Sequence, residues 1–434
     1  MQKIISTPCG EIKGIVSDGI TDFKGIRYAT GRRWTYPEIV TGWNGVYDAT
    51  EYKNCSYQPR AFYNEEENPA KIFYYNEFRK GESYIYDEDC LFLNIRTPEY
   101  ATPESNLPVL VYIHGGGFTG GCGHEKHFDG AVWAKNDVVS VTINYRLGPL
   151  GFACLPELEA EAGHTGNYGL FDQIAALKWV KSNISAFGGD REKITIMGQS
   201  AGAMSVQNLC QSDYTDGLFR SAVMSSGVGM GSFMVSTPEK KYDFWKEVMK
   251  NCGAHSLEEF RNVPAEILFR EWKKVKGSGL SSVPVKDGIL IKDKPSVKNI
   301  PYMVGSTSHD MAPAILYLMT RNWAKKNGAY MWLFERMLPG DDKGAWHSSD
   351  LWYWFGTLKN CWRPMEDADY KLSDEMSTYL CNFVKNGNPN GKNLPEWKKC
   401  RSDKDVISFG NGISSKGKMK MLFYNTLTNK PVGE

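Results

Sequence analysis

A serine flanked by glycines follows a run of β-branched residues near the middle of the chain. The pentapeptide GQSAG at 198–202 has the pattern G-x-S-x-G, and the residues at 193–198 that lead into it are typical of a buried strand. In that context the pattern predicts a tight strand-to-helix turn that lifts a serine hydroxyl out of a sheet. Such a turn leaves no room for side chains two residues before and after the serine, a condition that Gly198 and Gly202 satisfy. We therefore predict that Ser200 is a nucleophile, with an ordinary turn as the alternative.

A second glycine-rich segment, HGGGF at 114–118, follows another apolar run at 107–113. Consecutive glycines let the backbone approach a ligand closely and point several N–H groups at one atom. Such donors stabilise the oxyanion that forms when a serine attacks a carbonyl carbon. A phosphate-binding loop is the alternative, but the lysine that a P-loop requires is missing here. The predicted oxyanion hole consists of the N–H groups of Gly116, Gly117 and Ala201.

Apolar runs rich in β-branched residues alternate with helical patterns along the chain. Predicted strands lie at 107–113, 138–145 and 193–198, with further strands at 221–227, 301–306 and 330–336. Helices are predicted at 168–184 and 201–210, the first of them amphipathic with Lys178 and Lys181 opposite its apolar side. This alternation predicts an α/β fold with a mainly parallel, doubly wound sheet, in which sites lie at the carboxyl ends of the strands.

Neither an internal repeat nor a linker divides the chain, so residues 1–434 are expected to form one domain. The segment at approximately 230–280 differs from the rest because it is rich in Lys, Glu, Phe and Trp and has no strand pattern. We predict that this segment is helical and exposed, and that it forms a cap or lid over the sheet.

Charge and hydropathy exclude several classes of protein. The 434 residues include 51 Lys and Arg and 50 Asp and Glu, so the formal net charge is only +1. Nucleic acids and anionic membranes are therefore not expected as partners, since both attract a basic excess. No apolar run reaches the roughly 18 residues that could span a bilayer, and the first residues lack the apolar core of a secretory signal. A cytoplasmic location is expected.

A series of motifs, in order along the chain, resembles the type-B carboxylesterase family. The motifs are FKGIRYA (23–29), EDCLFLN (88–94), HGGGF (114–118), NYRLGPLGF (144–152), FDQIAALKWV (171–180), AFGGD (186–190), GQSAGA (198–203), NPNG (388–391) and LPEW (394–397). The resemblance implies an α/β-hydrolase fold, with a mainly parallel central sheet flanked by helices, and hydrolysis of small carboxylic esters through a serine acyl-enzyme. It implies neither a metal nor an organic cofactor, and it leaves the oligomeric state open.

The resemblance also implies which residues complete a catalytic triad. The family places its acid in a segment similar to 305–311, where Asp310 stands in the position of a usual glutamate, and its histidine in a segment similar to 344–356, which gives His347. A serine hydroxyl needs an imidazole to take its proton, and a carboxylate must hold that imidazole in the correct tautomer. Asp350, three residues after the histidine, is the competing carboxylate, and we favour Asp310.

Two further departures from the family pattern bear on specificity. Gln199 precedes the serine where the family has glutamate, and we expect it to tune the site without abolishing its function. Only a short stretch separates Asp310 from His347, which predicts a shortened helical cap, a more open cleft and tolerance of bulky or flat esters. Aryl or hydroxycinnamoyl ester, lactone or carbamate hydrolysis remains open on the same site. A binding protein without catalysis is a remote alternative, because the serine, histidine and carboxylate are all retained.

The ten cysteines show no metal-ligand spacing and are expected to be reduced thiols. Cys55 and Cys90 match a pair that forms a disulfide in secreted members of the resembled family, and this bond is left open here. His124, His127 and Asp129 would make a poor metal site. No metal is expected.

Overall fold

A large β-sheet runs through the middle of the computed structural model, which describes residues 1–230 and 235–415. The strands are β1 (Gln2–Thr7), β2 (Gly10–Ser17), β3 (Ile20–Arg27), β4 (Ala29–Thr30), β5 (Glu38–Ile39), β6 (Tyr47–Asp48), β7 (Cys55–Ser56), β8 (Tyr86–Asp87), β9 (Phe92–Pro98), β10 (Leu107–Ile113), β11 (Val139–Ile143), β12 (Gly189–Gln199), β13 (Ser221–Ser225), β14 (Tyr302–Thr307), β15 (Tyr330–Phe334), β16 (Ile407–Phe409) and β17 (Ile413–Ser415). The order across the large sheet is β1-β2-β3-β9-β11-β10-β12-β13-β14-β15-β16-β17. The short strands β4 and β5 pair with each other, as do β7 and β8.

The middle of the sheet is parallel, whereas its N-terminal edge is antiparallel. Strands β10 to β16 pair in parallel, and β1, β2, β3 and β9 pair with antiparallel neighbours. The strands from β10 to β15 coincide with the predicted runs, apart from a few residues at their ends, and the α/β fold class is confirmed. Sequence patterns do not predict β1, because its residues alternate only between half-buried and exposed and give a weak signal.

Helices cover both faces of this sheet. They are α1 (Ile72–Phe78), α2 (Ala131–Lys135), α3 (Gly148–Phe152), α4 (Pro156–Ala162), α5 (Tyr168–Asn183), α6 (Ala201–Cys210), α7 (Glu239–Asn251), α8 (Leu257–Arg261), α9 (Ala265–Lys274), α10 (Ser278–Ser281), α11 (Pro313–Asn327), α12 (Leu351–Trp354) and α13 (Asp367–Asn386). Short 3₁₀ turns lie at Pro59–Phe62, Ile184–Phe187, Asp213–Thr215, Leu358–Asn360 and Asp403–Asp405. Helices α5, α6 and α11 pack on one face, and α2 and α13 on the other.

Strand β10 shows how the two cores arise. Val109, Val111 and Ile113 belong to the core under α5 and α6, whereas Leu110 and Tyr112 belong to the core under α2 and α13. Successive side chains of a strand point to opposite faces, so a strand that is covered on both sides must be apolar throughout. This burial explains why the run at 107–113 lacks the polar alternation of a half-exposed strand.

The prediction of an amphipathic helix at 168–184 is wrong in one respect. Helix α5 forms as predicted, but almost all of its residues are buried, and even Lys178 and Lys181 are half-buried. Helix α3, the short strands β4 and β5, and β12 all pack against it. The helix is therefore enclosed and is not a surface helix with one apolar side.

The segment at 230–280 contains helices α7 to α10, as its composition predicts. Its residues 231–234 lie outside the described part. The segment is less exposed than expected, because Trp245, Phe260 and Trp272 are buried against Leu150 of α3 and Leu158 of α4. Of the described helices, none has both the length and the hydropathy needed to cross a membrane.

Candidate active site

Ser200 occupies the tight turn between strand β12 and helix α6. Its backbone has φ +56° and ψ −125°, a region that non-glycine residues rarely adopt. A Cβ on Gly198 would lie 2.3 Å from the carbonyl oxygen of Gly202, and a Cβ on Gly202 would lie 2.1 Å from that of Ile113. Both positions therefore require glycine, as the motif predicts. The Ser200 N–H donates to the carbonyl of Ser225 at 2.9 Å, which ties the turn to strand β13.

The glycine loop after β10 lies directly against this turn. A Cβ on Gly115 would lie 2.5 Å from the carbonyl oxygen of Gln199 and 3.0 Å from Ser200 Cβ. Gly116 and Gly117 are exposed and have φ values of +104° and +63°. Within the described residues, their N–H groups donate to no protein acceptor. They are thus free to bind an anion beside the serine.

The helix that follows Ser200 begins with Ala201, whose N–H lies at the N-terminus of α6. The first N–H groups of a helix have no acceptor within it and favour negative charge. The loop glycines at 115–120 also fit the spacing G-x-G-x-x-G, but the next helix begins only at Ala131. The helix N-terminus that binds phosphate in dinucleotide motifs is therefore missing here.

Asp310 and His347 form a direct, buried pair. Asp310 Oδ1 lies 2.5 Å from His347 Nδ1. The other oxygen, Oδ2, accepts hydrogen bonds from the hydroxyls of Ser226 at 2.6 Å and Thr307 at 3.1 Å. The N–H of Met311 donates to Oδ1 at 2.8 Å. The carboxylate is held on all sides, which fixes the orientation of the imidazole.

Electrostatics favour the ionised form of this acid. Burial by itself would raise the pKa of Asp310, but the charge and hydrogen bond of His347 and the hydroxyl of Ser226 together lower it below its usual value. Burial likewise opposes the charged form of His347, whereas the Asp310 carboxylate, by charge and hydrogen bond, and the charge of Asp350 raise the pKa of the imidazole. An imidazole with a raised pKa is a stronger base.

Gln199 contacts the opposite nitrogen of the same imidazole. Its side-chain Nε2 lies 3.2 Å from His347 Nε2, and the residue is buried. An amide N–H can only donate, so Nε2 accepts and the imidazole proton lies on Nδ1, facing Asp310. That tautomer is the one a general base needs. Among the described residues, the hydrogen bond at Nε2 comes from Gln199 and not from Ser200.

Asp350, the competing carboxylate, makes no hydrogen bond to the imidazole within the described residues. One of its oxygens accepts hydrogen bonds from Ser225 Oγ at 2.8 Å and Trp354 Nε1 at 3.1 Å. The other oxygen is buried and has no hydrogen-bond partner in the described part of the chain. Burial, together with the nearby charge of Asp310, raises the pKa of Asp350 to about 6.

Residues that sequence reasoning did not assign to the site also support it. Ser225 and Ser226 come at the carboxyl end of β13, the strand beside the one that carries Ser200, and each hydroxyl serves one of the two carboxylates. Polar residues at the end of a neighbouring parallel strand were the signal that could have revealed them. His309 N–H donates to the Ala345 carbonyl at 3.0 Å and so fastens the histidine segment to the acid segment.

Helix α1 packs against the segment that holds His347. The Tyr74 hydroxyl donates to the carbonyl of His347 at 3.3 Å. The rings of Phe73, Tyr74 and Phe78 lie 5.1, 5.7 and 5.5 Å from that of Trp346. This aromatic cluster packs against the segment that holds the histidine and positions it.

Of His124, His127 and Asp129, which the sequence offers only as a poor metal site, the last two have other partners. The ring of His127 stacks on Phe78 at 3.9 Å, inside the core. Asp129 forms an ion pair with Arg96 at 3.0 Å. All ten cysteines are free thiols, so Cys55 and Cys90 do not form a disulfide in this structure.

Known proteins resemble this chain in both sequence and fold. The model of the carboxylesterase family matches residues 1–327 and 310–424. The para-nitrobenzyl esterase of Bacillus subtilis is 34% identical over 323 residues, which cover 70% of this chain and 62% of that protein. The chain thus spans less than two thirds of that relative.

Solved structures of esterases superpose over nearly the whole chain. A PNB esterase has a TM-score of 0.81 at 26% identity and covers 97% of this chain and 100% of its own. An esterase of Clostridium hathewayi also has a TM-score of 0.81 at 26% identity, with 97% of each chain covered. These relatives bear the names of ester-hydrolysing enzymes. The chain therefore belongs to the carboxylesterase family and has the α/β-hydrolase fold.

Proposed function

We propose that this protein hydrolyses carboxylic esters through an acyl-enzyme on Ser200, with His347 as general base and acid and Asp310 as its orienting carboxylate. The observation that carries the proposal is the 2.5 Å contact between Asp310 Oδ1 and His347 Nδ1, combined with a histidine Nε2 that lies against the residue before the serine. The strained backbone of Ser200 supports it further, because such strain costs on the order of 1–3 kcal/mol and persists mainly at functional sites.

In the first half-reaction, Ser200 Oγ attacks the ester carbonyl carbon while its proton moves to His347 Nε2. The amide of Gln199 must give up its contact with that nitrogen as the serine hydroxyl takes its place. The negative charge that develops on the carbonyl oxygen is stabilised by the N–H groups of Gly116, Gly117 and Ala201. Loss of one such donor typically costs on the order of 10²–10³ in rate.

The intermediate then collapses and the C–O bond to the alcohol breaks. The alcohol leaves with the proton from His347 Nε2, and the acyl group stays on Ser200 as an ester. In the second half-reaction a water molecule attacks this ester, and its proton passes to the same nitrogen. Collapse of the second intermediate releases the carboxylic acid and returns the proton to Ser200. The net reaction consumes one water molecule and needs no other reagent.

We further propose that the site accepts bulky or flat esters. The chain between Asp310 and His347 contains one helix, α11, and one strand, β15. Little chain is therefore available there to narrow the cleft. The Clostridium hathewayi esterase is described as hydrolysing aliphatic aromatic polyesters, which are substrates of this kind.

Labelling separates this proposal from its alternatives. The full chain is mixed with para-nitrophenyl acetate, and the early burst of para-nitrophenol is followed together with the mass of the peptide that contains Ser200. The expected result is a burst in proportion to the enzyme and one acetyl group on that peptide. Ser200→Ala should lose both, whereas Ser182→Ala, a change at an exposed serine of α5, should keep both. Full hydrolysis by folded Ser200→Ala would refute the mechanism.

The substrate class needs a separate panel. Rates are compared for acetyl, butyryl, benzoyl and hydroxycinnamoyl esters that share one alcohol. A similar or higher kcat/KM for the aromatic acyl groups is expected from an open cleft. A strict preference for acetyl esters would contradict the proposed substrate class, although it would leave the serine mechanism intact.

A further inference from the structure

We propose that Cys55, Cys122 and His124 form a binding site for a divalent metal ion of the zinc type, distinct from the catalytic triad. Their ligand atoms, two Sγ atoms and an imidazole nitrogen, all lie within 4.8 Å of one another. Strand β7 supplies Cys55, and the loop that follows the oxyanion glycines supplies the other two residues. Such a site would hold a structural metal and is separate from the proposed ester hydrolysis.

The separation of the ligands suits a tetrahedral ion. Cys55 Sγ lies 3.5 Å from His124 Nε2. Zinc binds thiolate sulfur at about 2.3 Å and imidazole nitrogen at about 2.0–2.1 Å, so two such ligands at a tetrahedral angle are about 3.5 Å apart. The observed distance between Cys55 Sγ and His124 Nε2 therefore matches that in a zinc site without rearrangement of these two side chains.

Charge and burial favour a divalent ion over a monovalent one. Cys55 and Cys122 are fully buried, and the ring of His124 stacks on Tyr52 with 4.6 Å between centroids. Two thiolates and a neutral imidazole bring the charge of a divalent ion to zero, and a neutral group is the least costly to bury.

Within the described residues, a positive charge and two unpaired hydrogen-bond donors border the cluster. Arg60 carries its charge close to both thiols and is itself neutralised by Glu125 at 2.6 Å. Arg60 Nη2 and the hydroxyl of Tyr84 are buried and have no hydrogen-bond partner within the described residues. The ring of Tyr84 lies 5.7 Å from that of His124, so this hydroxyl borders the same cluster. Both groups are hydrogen-bond donors, and a metal-bound thiolate is a hydrogen-bond acceptor.

The position of the cluster links it to the oxyanion loop. Between the glycines and Cys122, the backbone of Gly121 exchanges two hydrogen bonds with the side chain of Gln58, at 2.9 and 3.1 Å. Gln58 lies three residues after Cys55. The cluster therefore lies beside the hydrogen bonds that already join the segment of Cys55 to the glycine loop. A bound ion would stiffen it further and help to fix the N–H groups of Gly116 and Gly117.

Binding of the ion needs no oxidant. One divalent ion displaces the protons of two thiols, forms two metal–sulfur bonds and one metal–nitrogen bond, and releases two protons to solvent. Because each thiol must lose its proton to bind the ion, the apparent affinity increases with pH. The principal rival is a disulfide between Cys55 and Cys122, which would require an oxidant and exclude the metal.

Cobalt titration of the full chain tests the proposal. Metal is removed with a chelator under reducing conditions, the reductant is exchanged out without oxygen, and Co²⁺ is added while thiolate-to-cobalt absorption is recorded. The expected result is a band that saturates at one equivalent and disappears when Zn²⁺ is added. Cys122→Ala and His124→Ala should weaken binding by at least about tenfold, whereas Cys252→Ser, a change outside the cluster, should leave it unaltered.

The thiol count gives an outcome that does not depend on any variant. Zinc-loaded protein, denatured with a chelator but without a reductant, should expose all ten thiols. Two fewer thiols in protein purified without reductant, or no cobalt band in the reduced wild-type chain, would overturn the proposal even if the variants fail to fold. Ser200→Ala should bind cobalt as the wild type does, so failure of the metal site and failure of the esterase proposal are distinguishable.

Discussion

Two carboxylates flank His347, and the two regions that hold them differ sharply. In the segment after β14, Asp310 accepts five hydrogen bonds, including the one from His347, and its pKa is lowered. At the start of α12, Asp350 accepts hydrogen bonds at one oxygen only, and its pKa is raised to about 6. Both side chains are buried, so burial cannot explain the difference.

The number and placement of donors decide which carboxylate stays ionised. A buried carboxylate is costly unless hydrogen bonds and a positive partner compensate the lost hydration. Asp310 has both kinds of compensation, and Asp350 has only two donors at one oxygen. Asp310 is therefore suited to hold a histidine that becomes charged during the reaction. Asp350 acts on the imidazole only through its negative charge, which is present when the pH is above its pKa.

The largest expected effect is that of Asp310→Asn. An amide cannot stabilise the imidazolium and holds the wrong tautomer, so kcat should fall by about 10³–10⁴-fold. The matched change Asp350→Asn should lower kcat by less than about tenfold, because this side chain does not touch the imidazole. Steady-state hydrolysis of para-nitrophenyl acetate measures both. A larger loss in Asp350→Asn would reverse the comparison and assign the orienting role to Asp350.

The next effect concerns stability and pH. The pKa of Asp350 is about 6 in the folded protein against 3.8 for the ordinary group. Asp350 therefore holds its proton more tightly in the folded state than in the unfolded state. As the pH rises from below 3.8 to above 6, this difference lowers the free energy of unfolding by about 3 kcal/mol. Asp350→Asn should lack this loss. Urea denaturation at about pH 4 and about pH 7.5 should show that the free energy of unfolding of the variant, relative to that of the wild type, is higher at about pH 7.5. The same difference between variant and wild type at both pH values would contradict this prediction.

The two serines provide a smaller contrast. At about pH 5 Ser226 donates to an ionised acid and Ser225 to a mostly protonated one. Hydrogen bonds to charged groups contribute about 1.5–3 kcal/mol and neutral ones about 1 kcal/mol. Ser226→Ala should therefore lower the free energy of unfolding more than Ser225→Ala at that pH, and only Ser226→Ala should also lower kcat markedly. Equal effects on both quantities would mean that the two carboxylates are in the same state.

The smallest effect is a shift of the pH profile. Since the pKa of His347 is raised, kcat/KM of the wild type should decline on the acid side around a midpoint above 6.5. The charge of Asp350 contributes to that rise, so Asp350→Asn should move the midpoint to lower pH, by less than about one unit. Asp243→Asn, a change at an exposed acid of α7, serves as the control and should leave the profile in place. A shift to higher pH would show that Asp350 does not act through its charge.

Local motifs made much of the site predictable. Gly198, Gly202, Gly115 and Gly116 are required by contacts with residues close in sequence or on the adjoining strand, and their pattern is visible without coordinates. The strands from β10 to β15 were also predictable, because burial on both faces of the sheet demands apolar residues throughout.

Contacts between distant segments were not predictable from single patterns. Asp350 is nearer to His347 in the chain than Asp310 is, yet Asp310 reaches the imidazole. Helix α5 has an ordinary helical pattern, yet it is enclosed by elements whose positions the pattern does not encode.

The sequence by itself determined the fold class and the family and predicted the serine and the histidine of the site, because these rest on short-range backbone constraints and ordered motifs. Only the tertiary structure shows that Asp310 contacts Nδ1 of His347, that Gln199 contacts the other imidazole nitrogen, and that Cys55 lies beside Cys122. The physical reason is that hydrogen bonds and metal–ligand distances act over a few ångströms. The packing of distant segments sets such separations, and the spacing of residues along the chain does not.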